Sequence, residues 1–200
     1  MPANAEPLGR VTRCSTLMFT GAVRTSSLGM PAFGVCVKAA AENGQVQVIG
    51  VIVDIRIEDD PLARQMAALE DLPAEQLADA QRNRQAPVEF SALTLGWIRG
   101  ERFHSNLPPQ PPFTLAPVFL LEPAEILQIS TDLSFMRQLL FVEGVPGDEL
   151  VAALIKHMAD VHPVDDRERF MLRAGRTIAR TLSGDLPRLE TILHMLQRGS

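Results

Sequence analysis

Apolar residues alternate with polar ones in short runs over the first part of the chain, and recur at three- and four-residue spacing over its last third. Residues 9–17 and 18–24 are strand-like runs carrying Val, Thr and Phe between Gly and Ser, and residues 26–31 supply turn chemistry. In residues 33–40, Val35, Val37 and Ala39 alternate with Cys36 and Lys38. Asn43-Gly44 then predicts a hairpin, because both residues tolerate the positive φ that a tight turn between twisted strands demands. The longest predicted strand spans residues 45–57. Val46 and Val48 share one face, and Val51, Val53, Ile55 and Ile57 share one further on, so the numbering changes parity across Ile49-Gly50. A bulge there, or an exchange of the buried face, is expected. Asp54 and Arg56 fall on the opposite face, toward solvent.

Residues 58–87 change character. Glu58-Asp59-Asp60-Pro61 can start a helix, Leu62, Met66 and Leu69 keep weak helical spacing, and Pro73 interrupts it. The expectation is a helical insertion between two strands. Strand character returns over residues 88–98, which carry Trp97, followed by a turn at Arg99-Gly100-Glu101 and a polyproline-like strap over residues 107–112. Residues 117–121 form a last short strand.

From residue 123 onward the pattern is helical. Residues 132–142 and 148–160 are read as two helices separated by Gly144-Val145-Pro146-Gly147. Leu150, Val151, Leu154, Ile155 and Met158 form the buried stripe of the second. Asp165 and Glu168 have capping-box spacing for a third helix reaching about residue 182, and Gly184-Asp185 precedes a fourth holding Leu189, Ile192, Leu193 and Leu196. The fold class is therefore α+β: a small N-terminal β-barrel of six-stranded type over residues 9–122, with a helical insertion at 58–87, then a helical tail over 123–200.

Composition narrows the function. With 46% hydrophobic residues the 200-residue chain can bury a core, and a net charge of −5 gives no global attraction to nucleic acid or anionic membrane. Cys14 and Cys36 are too few for a disulfide framework and read as small buried hydrophobes. The first residues lack the charged and apolar regions of a signal peptide, and no apolar run approaches the ~18–20 residues of a membrane span. A cytoplasmic protein without membrane contact is expected.

No phosphate-binding loop, dinucleotide fingerprint, H-E-x-x-H, C-x-x-C or G-x-S-x-G spacing occurs. No catalytic residue, cofactor or metal is therefore assigned, and the chain is read as not an enzyme, an enzyme of unrecognised type being the remote alternative. His157, Asp160 and His162 straddle a helix end before Pro163 and need not converge on a metal. The constellation that stands out is Arg169, Arg173, Arg176 and Arg180, spaced 4, 3 and 4 along one helical face, with Phe170, Met171, Ala174, Ile178 and Leu182 on another. Such a row can track phosphates, grip an acidic partner, or be a solvated face paired with local acids such as Asp165, four residues before Arg169.

Gly9-Arg10-Val11-Thr12, Gly34-Val35-Cys36-Val37 and Val48-Ile49-Gly50-Val51-Ile52 together resemble the HAS barrel. That barrel is shared by HerA-type DNA translocases and the N-terminal domain of rotary ATP synthase subunits. Residues 107–115, residues 147–153 and Arg173-Ala174-Gly175-Arg176 resemble stand-alone HAS-barrel proteins of cyanobacteria and green non-sulfur bacteria. In HerA-type proteins the barrel precedes an ATPase core and helps dock the nuclease NurA; here that core is missing. The resemblance implies a non-catalytic docking or assembly module near DNA repair, with a HerA-like ATPase or NurA-like nuclease as partner and self-association conceivable. A nucleic-acid-binding protein using the arginine row is the alternative, against which the overall acidity and the lack of interleaved aromatics weigh.

Overall fold

The computed structural model describes residues 6–24, 31–57, 68 and 87–197. Seven strands are present: β1 (Gly9–Cys14), β2 (Met18–Arg24), β3 (Cys36–Ala41), β4 (Val46–Ile57), β5 (Pro87–Arg99), β6 (Arg102–His104) and β7 (Pro117–Leu120). They are ordered β2-β1-β7-β3-β4-β5-β6, all pairs are antiparallel, and β2 also pairs with β5. Six strands thus close a barrel, and β6 extends the β5 hairpin beyond it. Closure leaves no free edge on the six. The expected insertion at 58–87 lies outside the described residues apart from Ala68 and from Pro87, which already belongs to β5; the predicted turn at 26–31 lies outside them except for Pro31.

The Asn43-Gly44 turn joins β3 to β4, with positive φ at Glu42, Asn43 and Gly44 (48°, 55° and 85°). The bulge expected near Gly50 is there, but its extra residue belongs to the partner strand. Ile49 pairs with Gly96 and Gly50 with Thr94, leaving Leu95 of β5 unmatched. A second irregularity leaves Val53 of β4 unmatched between Ile52 and Asp54. The parity change on β4 therefore occurs at Val53, not at Gly50. Val46, Val48 and Ile52 point into the barrel and Ile55 packs against that cluster, whereas Ile49, Val51 and Val53 point outward.

Two aromatic rings fill the barrel where two glycines make room. A Cβ on Gly50 would lie 2.9 Å from the Phe19 ring, and one on Gly21 would strike the Phe90 ring, its register partner across β2 and β5. The strap after β6 buries Pro108 and Pro112, and its continuation is bonded to the barrel through Phe113 N–H to Ala40 O (3.2 Å) and Leu115 N–H to Val11 O (2.8 Å). It delivers β7 between β1 and β3, completing the barrel.

Five helices follow: α1 (Pro123–Ile129), α2 (Met136–Phe141), α3 (Gly147–Val161), α4 (Val164–Thr181) and α5 (Leu186–Gln197). Ile49, Val51, Val53, Leu93, Leu95 and Ile98 on the barrel's outer wall share one apolar cluster with Ile126, Met136, Leu139, Leu150, Leu154, Phe170 and Ile192 of the helices. That shared core explains why β4 is apolar on both faces. Cys36 lies in it, its thiol pushed up to about 12 by burial; Cys14 is half-buried rather than buried. Helix α2 starts at Met136, four residues later than expected, because Asp132 holds a turn ahead of it. Helix α4 starts at Val164 behind Pro163, so Asp165 lies inside its first turn and forms no capping box. Among the described residues no helix is long and apolar enough to cross a membrane.

Candidate functional site

An open cleft of about 700 Å³ runs between α2 and α4. Its cationic walls are Arg137 of α2 and Arg173 and Arg180 of α4; Thr177 and Thr181 line the α4 side, and Phe141 closes the α2 side. The spacing on each helix explains the convergence. Arg173, Thr177 and Arg180 lie on successive turns of one face of α4, above the buried Phe170, Ala174 and Ile178. On α2, Met136, Leu139 and Leu140 are buried, which turns Arg137 and Phe141 outward one turn apart.

At the end of the cleft, Asp132 Oδ1 accepts from the Ser134 N–H (3.0 Å) and Oγ (2.6 Å), and Oδ2 accepts from Ser105 Oγ (2.6 Å). Burial alone would raise the Asp132 pKa, but these hydrogen bonds outweigh it and hold the carboxyl below its ordinary value. The cleft thus contains three guanidiniums and one firmly ionised carboxylate. Among the described residues, ion pairs involve Lys38, Arg56, Arg99, Arg167, Arg169 and Arg188, and none involves Arg137, Arg173, Arg176 or Arg180.

The four arginines singled out from the sequence share a ridge but not a site. Arg173 and Arg180 face the α2–α4 cleft. Arg176 lines a separate groove between α4 and α5 with Met171, Leu172 and Leu193. Arg169 belongs to neither: its side chain is 87% exposed and lies 3.8 Å from Asp166, so the expected partner Asp165 is replaced by its neighbour. Arg173 is partly committed, donating from Nη2 to the Ser130 carbonyl at the end of α1 (2.6 Å). Arg137 and Phe141 escaped the sequence reading, because α2 is too short to display a periodic polar face.

Phe141 is held from behind. Arg188 of α5 lies over its ring at 5.6 Å while donating Nε to both Asp148 oxygens (2.8 and 2.9 Å) and Nη2 to the Leu140 carbonyl (2.5 Å). The hydrogen bond to Asp148 raises the Arg188 pKa further.

The histidine cluster does structural work. His162 stacks on Phe170 (4.3 Å) and contacts Ser130 Oγ (3.2 Å) and the Met158 carbonyl (2.9 Å), joining α1, α3 and α4. Asp160 instead pairs with Arg167 at 3.0 Å. Among the described residues no three His, Cys, Asp or Glu side chains converge as a metal site.

The fold and cleft define a class of molecule: a closed antiparallel barrel whose helical flank presents an open, cationic, aromatic-edged groove. No protein-family model and no curated protein matches the chain.

Proposed function

We propose that this chain is a non-catalytic docking module that holds an anionic segment of a protein partner in the α2–α4 cleft. The supporting observation is the convergence of Arg137, Arg173 and Arg180 from two helices, without carboxylate partners among the described residues. Guanidiniums left so arranged favour a partner that brings carboxylates, since paired charge-assisted hydrogen bonds recover what each group loses on leaving water. The resemblance to the HAS barrel suggests which partner: a HerA-type ATPase or a NurA-type nuclease, with a ring of this chain itself as the other arrangement. Co-elution from a size-exclusion column with each purified candidate tests it. A complex with one of them is expected; a monomer that ignores both rejects the named partners.

A second reading has its own observation. Phe141 is 58% exposed beside the three arginines, the pairing by which single-stranded nucleic acid is stacked and neutralised. Asp132 does not separate the two readings, since its ionised carboxylate repels a phosphodiester and a partner's carboxylates alike. Salt-dependent binding of labelled oligo-thymidylate, lost in Arg180→Glu, would favour this reading over the first.

A further inference from the structure

The cationic cleft does not end at Phe141. It continues into a second groove, of about 850 Å³, between α2 and the β1–β2 turn. Ser134, Arg137 and Phe141 line both. The new half is apolar, with Leu17, Met18 and Val142 among its walls. Leu17 is 53% exposed at the tip of the turn, and its backbone is tied down there. Ser15 Oγ accepts from the Leu17 and Met18 N–H groups (3.3 and 3.1 Å), and the Leu17 carbonyl accepts from Thr94 N–H (2.9 Å). A large apolar side chain is thus presented outward by a pinned turn, facing a second exposed one, Phe141, that Arg188 backs.

We infer that the joined grooves take an amphipathic acidic peptide, its apolar side chains seated between Leu17 and Phe141 and its carboxylates on Arg137, Arg173 and Arg180. This rests on the docking reading and names the chemistry of the docked segment. Charge complementarity selects the acidic half of the ligand, and the apolar extension selects against a bare polyanion, which would leave Leu17 and Phe141 in water. Arg137 and Phe141, one helical turn apart, set the register: a carboxylate and an apolar anchor about a turn apart on a peptide helix meet both at once. Asp132 lies beside the junction of the two grooves, its oxygens accepting from Ser134 and Ser105, which line the apolar half. Its charge repels carboxylate and phosphate alike, so the apolar contacts carry the selection.

The test compares three labelled probes by fluorescence anisotropy: a dodecapeptide in which Leu and Phe are interleaved with pairs of Glu, an oligo-glutamate of equal charge, and oligo-thymidylate. The amphipathic peptide is expected to bind at least about tenfold more tightly than either other probe. Leu17→Asp should remove that advantage, and Arg180→Glu should weaken both peptides. Leu17→Ser, a milder change, serves if the turn does not tolerate Asp. Equal binding of the two peptides, insensitivity to both Leu17 variants, preference for oligo-thymidylate, or no binding of the amphipathic peptide overturns the inference. The docking reading fails separately, if the Arg137→Glu/Arg180→Glu chain still binds its purified protein partner unchanged.

Discussion

The Arg173 guanidinium donates to the Ser130 carbonyl at 2.6 Å, so one member of the arginine row also locks the end of α1 onto α4. Arg180 has no such duty among the described residues. Arg173→Ala should therefore lower stability by about 1–2 kcal/mol, since it strips a charged donor from a backbone carbonyl, whereas Arg180→Ala should be within about 0.5 kcal/mol of wild type. Urea unfolding of the two variants checks this, and equal losses would mean that the Ser130 contact contributes nothing.

Inside the barrel, Phe19 and Phe90 occupy space that Gly50 and Gly21 leave open. Either glycine changed to Ala should cost about 1–3 kcal/mol through overpacking. Shrinking the ring in the same chain (Gly50→Ala with Phe19→Leu) should cost less than the two single changes added together, a coupling that a double-mutant cycle reads directly.

Arg188 joins α5 to the first turn of α3 and the end of α2. Its removal leaves the Asp148 carboxylate and the Leu140 carbonyl short of a donor, and both charged side chains are less than one-third exposed. Arg188→Ala should cost about 2–3 kcal/mol, more than Asp148→Asn, which keeps an acceptor for the guanidinium. Thermal unfolding gives the order. Loss of the support beneath Phe141 should also loosen that side chain, visible as sharper aromatic NMR lines.

Stability should depend on pH through His157. Burial lowers its pKa from 6.5, and the nearby Asp160 charge offsets that in part. The folded protein then holds fewer protons at this site than the unfolded chain. The contribution is present above the unfolded value of 6.5 and is lost as pH falls through the lowered folded value. Between about pH 7.5 and about pH 5.5 the melting temperature should fall more for the wild type than for His157→Gln. Parallel curves would assign the titration elsewhere.

How much of this was legible in the sequence differs by element. Long periodic segments were: the stripe from Leu150 to Met158 placed α3, and Asn43-Gly44 placed the β3–β4 turn. The parity change on β4 pointed to a bulge, but pairing is a property of two strands. Which strand carries the extra residue, Leu95 or Val53, cannot be read from one of them. Three-residue β6 was too short to show alternation. The apolar residues of β4 read as one buried face that changes parity. That Ile49, Val51 and Val53 form a second buried face under the helices is set by tertiary packing and is not visible in the strand itself. For the site, the spacing of Arg173 and Arg180 was visible, but Arg137 and Phe141 belong to a six-residue helix brought opposite them by tertiary packing alone.

The central claim, that the α2–α4 cleft docks an anionic protein segment, is tested most directly by calorimetric titration of a purified HerA-type ATPase or NurA-type nuclease into the wild-type chain and into Arg137→Glu/Arg180→Glu. The account predicts wild-type binding that weakens with salt and falls at least about a hundredfold in the charge-reversed chain, two reversals at about 1.4 kcal/mol or more each. Wild-type affinity retained by the charge-reversed chain would contradict it.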